Sequence, residues 1–164
     1  SAISVGLVQD GQGVMGLVLD LGTGELFTAV RGGGAFCNGK PLQGAQAPLE
    51  NAVIVFGTAP YYRELADATF AAAKELFLCC GDLRRSGSAA LDLCHVAAGQ
   101  CDGFFEARLS PWDYAAASVI LREAGCPLDT LPGQAFSYEK PQAILAGSPA
   151  VYPVLREIVG RCLG

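Results

Sequence analysis

The sequence predicts a mixed α/β fold built in α+β layers, with an antiparallel meander over residues 1–45 and alternating strands and helices over residues 52–164 of a single domain. Three observations predict it. The first 45 residues carry short alternating apolar runs separated by turns at Asp10-Gly11, Gly22-Thr23-Gly24 and Asn38-Gly39, a hairpin spacing. From Ala52 onwards the apolar runs become continuous and are separated by helix-length segments, as in strands covered on both faces. A chain of 164 residues that is 51% hydrophobic is also long and apolar enough to bury a core.

The elements follow in order. "AISVGLVQ" (2–9) and "VMGLVLD" (14–20) are two strands around Asp10-Gly11, and "GTGELFTAV" (22–30) is a third. "RGGGAFCNGKPL" has three consecutive glycines but no Lys-Ser/Thr ending and no helix pattern after it, so it reads as a tight turn into a short strand rather than a phosphate loop. "AVIVFG" is a buried strand, 61–76 a helix, "LFLCC" strand-like, and 87–98 a helix ended by Gly99. "GFFEA" is a strand, 111–124 a helix stopped by Gly125, "AILAG" a buried strand, and 149–162 a last helix begun by Ser148-Pro149. This alternation implies a largely parallel second sheet packed by helices.

Composition excludes several classes. Eleven basic against sixteen acidic residues give a net charge of −5 with no Lys/Arg cluster, which argues against nucleic acid as a partner. No apolar run approaches the roughly 18 residues of a membrane span, and no basic segment opens a signal peptide. The seven cysteines are odd in number and lack any C-x-x-C spacing, which reads as reduced, buried thiols and a cytoplasmic protein. Cys79 and Cys80, adjacent on the expected strand, face opposite ways and cannot share a metal. The chain opens directly on a strand and its only methionine is Met15, as if it began within a fold.

Few residues carry chemistry by spacing alone. His95 is the only histidine and sits mid-helix among apolar residues, which favours packing over base catalysis. Asp82 and Asp92 read as surface charges. Arg84 and Arg85 precede "SGSAALDL", where Ser86 or Ser88 caps a helix; the helix start either receives an anionic or hydroxyl-rich ligand or is an ordinary capped end with solvated arginines. In "RLSPWDYAAA", Ser110, Pro111 and Asp113 form an acidic capping box. Glu106 ends a strand just before that helix, so two carboxylates can converge on one cleft, the setting in which hard cations bind through oxygen.

"GELFTAVRGGGAFCNGKPL", "RRSGSAALDLCHVAAGQCDGFFE" and "PWDYAAASVILREAGC" together resemble the later part of the inositol monophosphatase family, over almost the whole chain and in the same order. The resemblance implies Mg²⁺-dependent phosphatase chemistry on a phosphorylated polyol and a fold of stacked helix and sheet layers. It implies that Asp113 is a metal ligand beside the substrate, that Glu106 contacts a substrate hydroxyl, and that Gly87, Ser88 and Ala89 line the sugar side of the pocket. Family members also carry an upstream Gly-Glu-Glu segment and an Asp-Pro-Ile/Leu-Asp-Gly-Thr segment that supply most metal ligands and activate water. This sequence contains neither.

The resulting expectation is the C-terminal part of an inositol-phosphate phosphatase, inactive as this chain alone and holding Mg²⁺ weakly or not at all, because one family ligand cannot fix several metal ions. Its uncovered meander would assemble with itself as a homo-oligomer or with the missing N-terminal half. The alternatives are a non-catalytic truncated paralogue serving as an assembly module, and a related phosphatase of fructose bisphosphate or a phosphonucleotide; Glu106 in "GFFE" favours inositol phosphates.

Overall fold

A computed structural model of the chain describes residues 1–164 and shows two five-stranded sheets and four α-helices in alternating layers. The first sheet is the meander β1 (Ala2–Gln9), β2 (Gln12–Asp20), β3 (Leu26–Val30), β4 (Ala35–Cys37) and β5 (Lys40–Pro41), antiparallel throughout and paired in sequence order. Asp10 and Gly11 make the first turn with φ of 52° and 70°, the left-handed pair that a two-residue hairpin needs.

The second sheet is built from β6 (Val53–Phe56), β7 (Asp82–Arg84), β8 (Gly103–Leu109), β9 (Leu128–Asp129) and β10 (Gln142–Gly147), in the order β7-β6-β8-β10-β9. Helices α1 (Ala66–Phe77) and α4 (Tyr152–Leu163) cover one face of it, while α2 (Ala89–Ala97) and α3 (Pro111–Glu123) lie between the two sheets. Strict alternation along the strands divides the interior. Val55, Phe104 and Ile144 join the core around α2 and α3, and their neighbours Ile54, Phe105 and Leu145 join the core under α1 and α4. This is why these strands read as continuous apolar runs.

The packing of α3 on the meander depends on glycine. Gly6 and Gly16 face each other in register, and an added Cβ at Gly6 would stand 2.9 Å from the Ala116 nitrogen, while one at Gly16 would overlap the Ala116 carbonyl. The alanine-rich run of α3 therefore lies directly on sheet backbone.

Two expectations are corrected. "LFLCC" is not a strand: α1 continues to Phe77, Leu78 is 75% exposed, and Gly81 and Asp82 turn back to donate to the Ala52 carbonyl, so the strand is the next segment, β7. Cys79 and Cys80 lie in that turn, with the Cys79 thiol on the carbonyls of Glu75 and Leu76. The second sheet is mixed rather than largely parallel. β6 is parallel to β7 and β8, but β10 is antiparallel to β8 and β9. The crossover through α3 sets β9 two places beyond β8 in the same direction, and the chain then turns back to fill the gap with β10. Element ends also shift: the first helix is α1 from Ala66, preceded by a 3₁₀ turn over Arg63–Leu65, and the last begins at Tyr152.

The three-glycine turn holds an internal anion. Gly32 and Gly34, with φ of 75° and 85°, both donate backbone N–H groups to the Glu123 carboxylate at 2.9 Å, which ties the C-terminal end of α3 to the meander. Glu123→Ala should therefore cost about 1 to 2 kcal/mol in urea denaturation with an unchanged slope, because two charge-assisted bonds are lost at a half-buried position. A midpoint equal to wild type would show that the turn holds itself.

Candidate active site

The three parallel strands end at one edge, and the chain leaves each of them into one cavity. After β6 come Gly57, Ala59, Pro60, Tyr61 and Tyr62; after β7 come Arg85, Gly87, Ser88 and Ala89; the end of β8 and the start of α3 give Glu106, Arg108, Leu109, Ser110, Trp112 and Asp113. Asp92 of α2 completes the lining of a space of about 440 Å³. The strand order reverses at β6, since the chain steps to β7 on one side and then to β8 on the other; ligands bind at the carboxyl ends of strands at such a point.

Asp113 has two faces. Its Oδ2 accepts the Ser110 N–H at 2.9 Å, the reciprocal half of the capping box, and its Oδ1 accepts no hydrogen bond. Tyr114, the next residue, is fully buried and donates its hydroxyl to the Ser137 carbonyl at 2.7 Å, so the helix start that carries Asp113 is fixed from behind.

Glu106 is 8% exposed, and its Oε1 accepts the Ala59 N–H at 2.9 Å. Ala59 has φ 43°, a left-handed conformation that costs a non-glycine residue about 1 kcal/mol or more. Gly57 must lack a side chain, because a Cβ there would overlap the Glu106 carboxylate. Burial pushes the Glu106 carboxyl above the usual range; the Ala59 N–H pulls it back, and the Asp113 charge pushes it further up.

The turn before α2 differs from a simple cap. Neither Ser86 nor Ser88 bonds the helix start through its side chain: Ser86 Oγ donates to Asp92 Oδ1 and accepts the Ser88 N–H at 3.2 Å. Asp92 is therefore no surface charge. It is 3% exposed because the Ser86 hydroxyl satisfies it inside the cavity wall, and burial raises its carboxyl above the usual range. Asp82 does lie at the surface, paired with Arg84.

The cavity brings together every residue that the family resemblance picks out, namely Gly87, Ser88, Ala89, Glu106 and Asp113. It adds Arg108 and the 57–62 loop, which the sequence reading missed although "FGTAP" directly after a parallel strand was a usable signal. His95 lies apart, its ring edge-on to Phe27 at 6.2 Å, a packing contact. All seven cysteines are free; burial raises Cys101 to about 12 and Cys126 to about 11, so these thiols are inert.

No three His, Cys, Asp or Glu side chains converge anywhere in the chain, and in the cavity Asp92 and Glu106 already hold Ser86 and Ala59. The chain's own residues therefore do not by themselves make a metal centre, and Asp113 Oδ1 is left without a hydrogen-bond partner.

The fold is layered αβ with a carboxylate-lined cleft at the switch point, and comparison with known proteins gives the family. The model of the inositol monophosphatase family matches residues 1–162, and the chain belongs to that family. The chain is similar to "Nus factor SuhB" of Escherichia coli, 40% identical over 151 residues, covering 92% of this chain and 56% of that protein. It is similar to "Inositol-1-monophosphatase" of Rhizobium meliloti, 39% identical over 161 residues, covering 98% and 60%. Among solved structures, extragenic suppressor protein suhB from Bartonella henselae superposes with a TM-score of 0.89 at 33% identity, covering 96% of this chain and 60% of that one. The chain thus spans between half and two thirds of the length of these relatives.

Asp92 gives a pH test. Its carboxyl is raised in the folded state, so between the unfolded and folded values the native protein binds more protons and stability falls as pH rises. Asp92→Asn keeps a polar partner for Ser86 and removes that slope. Its stability relative to wild type should rise from pH 4 to pH 7 in thermal melts, and a constant difference would mean that Asp92 is not perturbed.

Proposed function

We propose that this chain forms the alcohol-recognising part of a Mg²⁺-dependent phosphomonoesterase acting on inositol phosphate, and that Asp113 is its one metal ligand. The observation that carries this reading is the meeting of Asp113, with one oxygen uncommitted, and Glu106 with the Gly87–Ala89 turn in one cavity. Bound Mg²⁺ would supply charge neutralisation at the phosphate and an activated water. The chain's residues do the rest: the free Glu106 oxygen accepts a substrate hydroxyl, the N–H groups at the start of α2 receive an oxygen, and the Ser110 contact fixes the orientation of Asp113. The other metal ligands belong to the additional length that relatives carry. This chain alone should therefore bind Mg²⁺ no tighter than about millimolar and leave inositol phosphate intact. The free thiols fit a reducing compartment such as the cytoplasm, and no helix is long and apolar enough to cross a membrane.

Asp113→Asn separates the two faces of the carboxylate. The amide keeps an oxygen for the Ser110 N–H, so the stability of the chain should change by at most about 1 kcal/mol. In the assembled enzyme, the chain joined to that additional length, kcat should fall at least about a hundredfold. Near-normal turnover at saturating Mg²⁺ would return Asp113 to the helix cap alone.

A second reading, assembly, is favoured by the outer face of the meander. Ile3, Val5 and Leu7 of β1 are each about half exposed, and the register sets Leu7 beside Met15 and Met15 beside Val30 on one apolar face. Continuous apolar surface of this kind is covered in stable proteins. Its occupant is a second copy of the chain or the additional segment, and the relative named "Nus factor" is in keeping with a protein partner. Light scattering at micromolar concentration should give more than one chain's mass; a monomer would remove self-assembly.

A further inference from the structure

The 57–62 loop holds two guanidinium groups at the cavity. Arg85 Nε donates to Thr58 Oγ1 at 3.3 Å, and the Arg108 guanidinium carbon stands 4.6 Å from the centre of the Tyr62 ring. Both arginines line the cavity, and neither comes within ion-pair distance of a carboxylate. Each carboxylate that shares the space holds a partner other than an arginine through one oxygen, Asp92 with Ser86, Glu106 with Ala59 and Asp113 with Ser110. The loop itself is set by Glu106, which holds the left-handed Ala59 N–H. The two ends of the loop thus hold two guanidinium groups on one cavity wall, each without a carboxylate partner, and guanidinium is the side-chain group that takes a phosphate bidentately.

We infer that Arg85 and Arg108 form a subsite for a second phosphate group on the alcohol part of the substrate, so that the preferred substrate class is a polyol carrying two phosphates. This rests on the phosphatase reading above. Asp113 stands at the metal-facing side, where an unmetallated phosphate would be repelled, whereas the arginines are the only cationic side chains on the cavity wall. One phosphate then lies toward Asp113 for reaction and the other is clamped by the loop. Arg-for-Lys exchange would not be conservative here, because the fork and the stacking on Tyr62 are both lost.

The test has two parts. Calorimetry without Mg²⁺ should show an inositol bisphosphate binding this chain, and Arg85→Gln with Arg108→Gln should weaken it by at least about tenfold with unchanged circular dichroism. Absence of binding, or binding that survives both substitutions, overturns the inference. In the assembled enzyme, kcat/KM for the bisphosphate should exceed that for inositol monophosphate by about tenfold or more, and the double variant should bring the ratio near one. An equal loss for both esters overturns the inference by placing the arginines on the reacting phosphate. Arginine-dependent binding in an enzyme that hydrolyses neither ester supports the anion subsite and sinks the phosphatase reading instead.

Discussion

The seating of α3 on the backbone of the meander is the constraint on which the rest of the molecule depends. Gly6 and Gly16 form one cross-strand pair, and the Ala115-Ala116 step of the helix sits where their side chains would be. Helices normally stand off a sheet by the thickness of side chains; here both partners have given theirs up. The two ends of α3 are then tied down by different chemistry. Glu123 is held by Gly32 and Gly34 at one end, and Tyr114 is held by Ser137 at the other. A helix fixed at three points carries Asp113 on its first turn, so the carboxylate inherits the precision of the whole packing arrangement rather than that of a loop.

The opposite wall of the cavity is organised by a different device. Loops after parallel strands are mobile by default, yet the 57–62 loop is pulled onto β8 by the buried Glu106 carboxylate, which holds the N–H of a residue in an unfavourable conformation. An ionised group costs free energy to bury unless it is hydrogen-bonded. Glu106 meets that cost with one oxygen and keeps the other for the cavity, as Asp113 does with its Ser110 contact. Each carboxylate is half structural and half available, which orients it without requiring a ligand to be present.

Much of this was legible in the residues because it rests on local rules. Alternation and turn residues gave the meander, and "SPWD" gave the start of α3 together with the position of its acidic residue. What escaped was decided by long-range contact. Asp92 looks like a solvent-facing helix charge until Ser86 folds back on it, and the three glycines look like a plain turn until Glu123, 89 residues beyond Gly34, arrives to fill them. "LFLCC" has strand composition, but α1 runs on to Phe77 and α1's chain turns before pairing begins, so composition lost to helix continuation. The strand direction of β10 is likewise invisible locally, because an apolar run covered on both faces reads the same in either direction.

The charges of the cavity fit together only as a set. Three carboxylates in one partly desolvated space repel one another, and two of them are raised above their usual range by burial. Arg85 relieves both, since its charge lowers the carboxyls of Asp92 and Glu106 without forming a close pair with either. The arginine remains free to meet an anion while still steadying the wall at a distance. Asp113, which also lines the cavity, stands within ion-pair distance of no cation of this chain, and its Oδ1 accepts no hydrogen bond. On the reading proposed above, the same wall accepts an anion at the loop and a cation at the start of α3, and a substrate with a phosphate toward each is the ligand that would neutralise both.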